Sequence, residues 1–212
     1  MFRTIVIAIR SFREIVCSVV SETYRLFIAI ELSDPVKHVL ISVQERLRRD
    51  SPPVKWVAPE AMHLTLQFLG ETEARLLTRI STRLREALKN QPTFSLELGK
   101  FGAFPNLRHP SVLWVDISGA TAVLNRMQAS IVRELEPLGF PRETRPFRAH
   151  LTIGRVRREA TSAQQQQLGA TLAALPSLTT ISWTIERVIL FQSNLRPGGP
   201  RYTERDAVML TL

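Results

Sequence analysis

The chain has 212 residues, of which 44% are hydrophobic, so it is long enough to bury a substantial core as one domain or two lobes. Its 28 Lys and Arg residues outnumber its 19 Asp and Glu residues, and the net charge of +9 favours polyanionic partners such as nucleic acid or phosphorylated metabolites. The single cysteine, Cys17, excludes an intrachain disulfide and suits a cytoplasmic location, and no apolar run approaches the roughly 20 residues that cross a membrane.

The first 23 residues combine apolar side chains with charged ones, at Arg10, Arg13 and Glu14. They therefore lack the continuous apolar core of a signal peptide. We expect residues 1–23 to be a dispensable extension and residues 24–212 to form the folded domain.

Patterns of apolar residues predict alternating strands and helices along the rest of the chain. The predicted strands cover residues 24–30, 62–69, 94–101, 112–117, 148–155 and 181–191. The predicted helices cover residues 33–50, 73–89, 121–138 and 162–175. Ser33 suits the cap of the first helix, and Gly70 is expected to end the second strand.

The order strand, helix, strand, helix, strand occurs twice. From Ile30 to His63 there are 33 positions, and from Ile117 to His150 there are also 33. This repetition predicts a duplicated α/β unit, whose two lobes are related by approximate symmetry and share a cleft. No flexible linker separates the halves, so we expect one compact unit.

Each repeat carries a His-x-Thr sequence on its second strand, HLTL at 63–66 and HLTI at 150–153. Residues i and i+2 of a strand point to the same face, so His63 would lie beside Thr65, and His150 beside Thr152. A single histidine in a strand is most often a hydrogen-bonded structural residue. Two copies of the same pattern instead indicate one shared site.

These residues fit acid–base chemistry on a phosphate. One imidazole can deprotonate an attacking water while the other protonates the leaving oxygen, and the hydroxyls can bind non-bridging oxygens. Two histidines without a carboxylate in either motif are too few for a metal site. Spacing alone does not exclude a nucleophilic triad. The other histidines, His38 and His109, are interpreted as solvated surface residues.

Several segments resemble the two-histidine (2H) phosphoesterase superfamily and, within it, the LigT-like RNA 2′,3′-cyclic phosphodiesterases. The resemblance covers about residues 24–212. It rests on RLFIAI (25–30), HLTLQFLG (63–70), FP (104–105) with VLW (112–114), RPFRAHLTIGR (145–155), FQS (191–193) and GPRYT (199–203). Ala149 stands where the second motif is expected to have proline.

The resemblance implies an α/β (α+β) fold of two pseudo-symmetric lobes around a central cleft, each a mainly antiparallel sheet with helices on its outer face. It implies an enzyme without metal or cofactor that opens RNA 2′,3′-cyclic phosphate ends to a 2′-phosphate; some members also join RNA ends through 2′–5′ linkages. It assigns His63 as general acid and His150 as general base, with Thr65 and Thr152 as phosphate ligands. Nothing in the sequence alone distinguishes the two histidines.

Further substrate contacts are expected beside the second motif. Arg148 shares the alternation of His150, whereas Arg155 falls on the opposite face unless the strand ends before it. Each arginine could bind phosphate or simply be solvated. Phe68 and Phe147 could stack on a base, although core packing is the more common role; Phe147, flanked by arginines, is the better candidate.

Three functions stay open at this point. The first is the RNA-end phosphodiesterase, and the second is a 2H phosphodiesterase acting on small cyclic nucleotides or 2′–5′ oligoadenylate. The third is a non-catalytic module that binds RNA or nucleotides, against which the intact His and Thr of both motifs argue. We expect a monomer with no membrane partner.

Overall fold

The computed structural model describes residues 22–49, 53–176, 178, 181–197 and 199–211. The expected dispensable extension falls mostly on residues 1–21, which lie outside the described residues. The carbonyl of Glu22 accepts a hydrogen bond from the amide of Ala74 at 2.8 Å, so the first described residue is already bonded to the fold.

The described residues form nine strands, four α-helices and three short 3₁₀ turns. The strands are β1 (Thr23–Glu31), β2 (Val54–Trp56), β3 (His63–Glu73), β4 (Phe94–Phe104), β5 (Val112–Gly119), β6 (His150–Val156), β7 (Ser182–Ile185), β8 (Arg187–Arg196) and β9 (Gly199–Met209). The helices are α1 (Asp34–Arg48), α2 (Leu77–Ala87), α3 (Thr121–Leu135) and α4 (Ser162–Ala173).

The helix α1 shows how the apolar spacing becomes structure. Val36, Leu40, Val43 and Leu47 recur at helical spacing and are all buried on one side of the helix. Ser33 occupies the N-cap position, but its side chain makes no capping hydrogen bond, contrary to expectation. The beginning of α1 instead has a proline in its first turn, where the missing N–H costs nothing.

The strands form two sheets in which all paired strands are antiparallel. One sheet has the order β3-β1-β8-β9, and the other has the order β2-β6-β5-β4-β7. The predicted two-lobed α/β fold with mainly antiparallel sheets is therefore confirmed.

The duplication is visible in these strand orders, and each half contributes its third strand to the sheet of the other half. The strands β3-β1-β8 of one sheet correspond to β6-β5-β4 of the other. The third strand of each half, β4 or β8, pairs with the first strand of the other half, β5 or β1. Neither half can complete its sheet alone, which accounts for the absence of a linker between them.

Several predicted boundaries are wrong. The strand β3 passes Gly70 and continues to Glu73, because Gly70 adopts a φ of +70° beside a register shift instead of ending the strand. The helix predicted from residue 73 begins at Leu77, after a 3₁₀ turn. The second motif strand begins at His150, not at residue 148. The short strand β2 was not predicted.

The single strand predicted over residues 181–191 is also wrong. It is two strands, β7 and β8, which are separated by Glu186 and lie in different sheets. The chain crosses from one sheet to the other at this residue. Strand β8 then forms a hairpin with β9, which was expected only from the resemblance.

One hydrophobic core lies against both sheets and receives side chains from all four helices. Leu64 and Leu151, which separate histidine from threonine in the two motifs, are 0% and 1% exposed. Burying a leucine contributes about 1.5–3 kcal/mol, and a slip of one residue would expose both of them. The core therefore fixes the register that directs the motif histidines away from it.

Candidate active site

The first motif strand presents its histidine and threonine on one face, as the alternation predicts. In β3, His63 lies opposite Glu31 of β1, and Thr65 lies opposite Ala29. Directly paired residues of antiparallel strands share a face of the sheet. The imidazole and the hydroxyl therefore belong to one surface patch.

The second motif strand repeats this arrangement. In β6, His150 lies opposite Asp116 of β5, and Thr152 lies opposite Trp114. Although β3 and β6 belong to different sheets, they contact each other. The fold thus brings the two His-x-Thr strands together at the junction of the sheets.

The two imidazoles make the same hydrogen bond. Nδ1 of His63 lies 2.9 Å from the carbonyl oxygen of Ala61, and Nδ1 of His150 lies 2.8 Å from that of Arg148. A carbonyl oxygen only accepts, so Nδ1 donates in both rings. Nε2 is then the nitrogen that accepts a proton from the neutral ring or donates one from the charged ring.

A β-bulge follows the threonine of the first motif. Thr65 and Gln67 pair with consecutive residues of β1, which leaves Leu66 as an extra residue. The bulge shifts the alternation by one residue, so Phe68 returns to the face of His63. The Phe68 side chain is 62% exposed, so the core-packing role expected for it is wrong.

The same bulge follows the threonine of the second motif. Thr152 and Gly154 pair with consecutive residues of β5, which leaves Ile153 as the extra residue. Arg155 therefore lies on the face of His150, whereas simple alternation predicts the opposite face. Strand β6 continues beyond this arginine, so the bulge and not the end of the strand reorients it.

Two glutamines connect the helices to these bulges. The amide of Gln44, on α1, donates to the carbonyls of Val57 and Ile153 at 2.8 Å each. The amide of Gln128, on α3, donates to the carbonyl of Leu66 at 3.3 Å. The helix α1, from the first half of the chain, thus holds the bulge of the second motif. The helix α3, from the second half, holds the bulge of the first motif.

Aromatic rings enclose His63. Its ring centroid lies 4.7 Å from that of Phe27 and 5.1 Å from that of Tyr202. Burial lowers the pKa of His63 from 6.5 to about 4, and the hydrogen bond to the Ala61 carbonyl offsets only part of this effect. Sequence reasoning did not assign Phe27 or Tyr202 to the site, and the only available signal was their position in segments that resemble the family.

This burial predicts that His63 has a low pKa in the free protein and that a bound anion raises it. The Cε1 proton signal of His63, assigned by its loss in His63→Gln, is expected to titrate near pH 4 in the free protein. Inorganic phosphate should raise that midpoint, because a nearby negative charge favours imidazolium. A free-protein midpoint near 6.5, or one that phosphate leaves unchanged, would show that the ring is not enclosed beside an anion site.

The same shift has a consequence for stability. The folded-state pKa of His63 is about 4, below its ordinary value of 6.5. Between these two pH values the unfolded chain binds a proton at this ring that the folded protein does not bind. Stability is therefore lost as the pH falls from about 6.5 toward 4.

Aromatic rings also line the side of His150. Its ring centroid lies 5.1 Å from that of Phe104 and 6.4 Å from that of Trp114. The guanidinium of Arg148 lies over the same two rings, at 5.6 and 4.5 Å. Arg148 is exposed beside the motif, whereas Phe147 is partly buried and packs against the core.

The other two histidines lie apart from the motifs, as predicted. His38 is exposed on α1, and His109 is exposed in the loop before β5. Among the residues that the structure describes, no group of three or more His, Cys, Asp and Glu side chains could hold a metal ion. No helix in the described ranges has the length and apolar character of a membrane span.

The chain resembles a set of curated phosphodiesterases over most of its length. It is 30% identical over 186 residues to the RNA 2′,3′-cyclic phosphodiesterase of Methanothermobacter thermautotrophicus, covering 88% of this chain and 98% of that protein. It is 34% identical over 180 residues to the protein of the same name from Archaeoglobus fulgidus, covering 85% and 97%.

Solved structures show the same fold. The crystal structure of TT0787 of Thermus thermophilus matches with a TM-score of 0.73 and 27% identity, covering 88% of this chain and 97% of that one. E. coli LigT in its apo form matches with a TM-score of 0.72 and 25% identity, covering 91% and 100%. LigT has also been crystallised with 3′-AMP and with phosphate.

A family model adds the last comparison. The model of the 2′-5′ RNA ligase superfamily matches residues 35–196, a range that contains both His-x-Thr motifs and the bulges that follow them. The resemblance drawn from the motifs is confirmed, and the chain belongs to the 2′-5′ RNA ligase superfamily.

Proposed function

We propose that this protein is an RNA 2′,3′-cyclic phosphodiesterase that opens the cyclic phosphate at an RNA end to a 2′-phosphomonoester, without a metal ion or cofactor. The observation that carries the proposal is the pair of contacting His-x-Thr strands, each with its imidazole Nδ1 bonded to a backbone carbonyl. Both rings therefore keep Nε2 for the substrate. The names of the curated relatives support the same activity.

The reaction needs one proton accepted and one proton donated. Neutral His150 accepts a proton from water at Nε2 as the water oxygen forms a bond to phosphorus. The bond from phosphorus to the ribose 3′ oxygen breaks, and Nε2–H of charged His63 protonates that oxygen. The products are a 2′-phosphate, a free 3′ hydroxyl, neutral His63 and charged His150, and exchange with solvent restores the starting states.

The enclosed position of His63 makes its charge depend on the substrate. Burial keeps this ring neutral in the empty site, since it lowers the pKa to about 4. A bound cyclic phosphate carries a negative charge, which raises the pKa of an adjacent imidazole. His63 would therefore become the acid when substrate arrives, while His150 acts as the base.

Hydroxyl and guanidinium groups surround the same position. Thr65 and Thr152 would donate hydrogen bonds to the non-bridging oxygens and hold the phosphorus in line with the water. Arg148 lies beside His150, and the bulge in β6 places Arg155 on the same face. Their charges would stabilise the negative charge that develops in the transition state.

An exposed ring is available for the terminal base. Phe68 lies on the face of His63 and is largely exposed. An aromatic face stacks on any base, which suits an enzyme that acts on RNA ends of varied sequence. Phe147 has less free surface, because it packs against the core.

The same arrangement would also support joining of RNA ends. If an RNA 5′-hydroxyl replaces water as the attacking group, His150 removes its proton and the product is a 2′–5′ linkage. The name of the superfamily supports this second reaction.

The hydrolysis is tested with an RNA oligonucleotide that ends in a 2′,3′-cyclic phosphate. The protein is expected to convert this end to a monoester, which a phosphatase then removes, in a buffer with excess chelator. The same oligonucleotide with a linear 3′-phosphate serves as the control: the protein alone should leave it unchanged, and the phosphatase should remove its phosphate with or without the protein. An intact cyclic end, or activity that chelator abolishes and one metal restores, would contradict the proposal.

A further inference from the structure

Arg187 is bonded to two carboxylates on the four-stranded sheet that carries the first motif. Its Nη2 donates to Oε2 of Glu31 at 2.6 Å, and its Nη1 donates to Oε2 of Glu204 at 3.3 Å. The three residues come from the neighbouring strands β1, β8 and β9. Their side chains are 39–45% exposed, and exposed ion pairs contribute little to the stability of a fold. The position of the two carboxylates relative to His63 points to a role in the active site instead.

Glu31 and Arg187 lie on the face of the sheet that carries the motif histidine. Glu31 is directly opposite His63, and directly paired residues share a face. Ala29, two residues before Glu31, pairs with Ile189, two residues after Arg187. The same antiparallel register therefore places Arg187 across from Glu31 on that face.

Glu204 lies on the same face, close to the aromatic rings around His63. It pairs with Phe191, four residues after Arg187 on β8, and alternate residues of a strand share a face. Glu204 also lies two residues after Tyr202, whose ring contacts that of His63 at 5.1 Å. Both carboxylates therefore belong to the surroundings of the reacting histidine.

The bond to Arg187 turns the Glu31 carboxylate away from His63. Strand β1 lies between β3 and β8, and the carboxylate reaches to the β8 side, where the guanidinium lies. The Cβ atoms of directly opposite residues are about 4.5–5.5 Å apart, so a free Glu31 side chain could reach the imidazole. In the structure the imidazole Nδ1 bonds to the carbonyl of Ala61 instead.

A carboxylate beside this imidazole would change the site in two ways. It would favour the charged ring before the substrate binds, and it would repel the anionic cyclic phosphate. With Arg187 in place, burial lowers the pKa of His63 to about 4, opposed by the hydrogen bond to Ala61. The other ionisable groups on the elements around His63 are Arg25, Glu60, His150, Arg155 and Tyr202.

We propose that Arg187 is a positioning residue, which holds the carboxylates of Glu31 and Glu204 away from His63 and from the phosphate that binds beside it. The inference rests on the proposed function and adds the reason why the charge of the general acid depends on the substrate. The arginine acts through the two carboxylates and does not itself contact the reacting atoms.

The titration of His63 tests the inference without any turnover. In Arg187→Gln the midpoint of its Cε1 proton signal should rise by about one pH unit above that of the wild-type protein, because Glu31 is released. The double variant Arg187→Gln/Glu31→Gln should return the midpoint to the wild-type value. Arg83→Gln breaks the ion pair with Glu134 on the helices and should leave the midpoint unchanged. An unchanged midpoint in Arg187→Gln, or a rise that persists in the double variant, would overturn the inference.

Kinetics test the effect on the substrate. With 2′,3′-cyclic AMP at an ionic strength of about 0.05 M, Arg187→Gln should raise KM about fivefold and change kcat by less than about twofold. The double variant has the wild-type local net charge and should bring KM back to the wild-type value. A salt concentration of about 0.5 M should also remove the difference in KM between Arg187→Gln and the wild-type protein, because it screens the exposed carboxylates.

An unchanged KM in Arg187→Gln, or one that stays high after either change, would overturn the inference. If the wild-type protein hydrolyses no cyclic phosphate, the proposed function fails, and the titration of His63 alone decides the inference.

Discussion

Replacing either His63 or His150 with alanine is expected to lower kcat/KM for a 2′,3′-cyclic nucleotide by about 10²- to 10⁴-fold, the usual range for one acid–base group. Without His150 no side chain of the motif takes the proton of the attacking water. Without His63 the 3′ oxygen leaves as an unprotonated alkoxide. The rate is measured with 2′,3′-cyclic AMP at saturating and limiting concentrations.

The matched control is His38→Ala, which removes an exposed histidine from α1 and should retain the wild-type rate. A cyclic analogue with sulfur at the 3′ bridging position separates the two roles, because a thiolate leaves without needing a proton from an acid. This analogue should restore turnover to His63→Ala but not to His150→Ala. Near wild-type turnover of either variant on the natural substrate would exclude the two-histidine mechanism.

Replacing Gln44 with leucine is expected to lower the free energy of unfolding by about 1–3 kcal/mol and to reduce kcat/KM as well. The Gln44 amide donates to the carbonyls of Val57 and Ile153 at 2.8 Å each, and leucine donates to neither. Ile153 is the bulge residue that places Arg155 on the face of His150. Loss of this donor therefore affects both the stability of the fold and the position of Arg155 in the site.

Urea unfolding and steady-state kinetics measure the two effects. Gln166→Leu makes the same chemical change at an exposed position of α4. It should change the free energy of unfolding by no more than about 0.5 kcal/mol and leave kcat/KM at the wild-type value. A Gln44→Leu variant with wild-type stability and kcat/KM would show that the glutamine does not hold the bulge.

Much of the fold follows from local patterns. The core positions of α1 were predictable because each apolar side chain recurs at helical spacing, and the repeated interval before His63 and His150 indicated the duplication. The exchange of β4 and β8 between the halves was not predictable, because it depends on pairings between distant segments. Residues 181–191 show the consequence, since the segment predicted as one strand is divided between two sheets at Glu186.

The centre of the site was predictable because alternation alone places His63 with Thr65 and His150 with Thr152. The residues around this centre depend on the two bulges, which simple alternation of side chains does not predict. They return Phe68 and Arg155 to the site face, and the glutamines that hold them come from helices of the opposite half. The rings around His63 likewise come from β1 and β9, far apart in the sequence.

The most direct test of the proposed reaction is the ³¹P NMR spectrum of 2′,3′-cyclic AMP incubated with the protein in a buffer that contains excess chelator. The division of roles between His63 and His150 predicts that the signal of the cyclic phosphate is replaced by that of 2′-AMP alone. Accumulation of 3′-AMP would contradict the assigned direction of ring opening. A cyclic phosphate signal that persists unchanged would contradict the proposed activity itself.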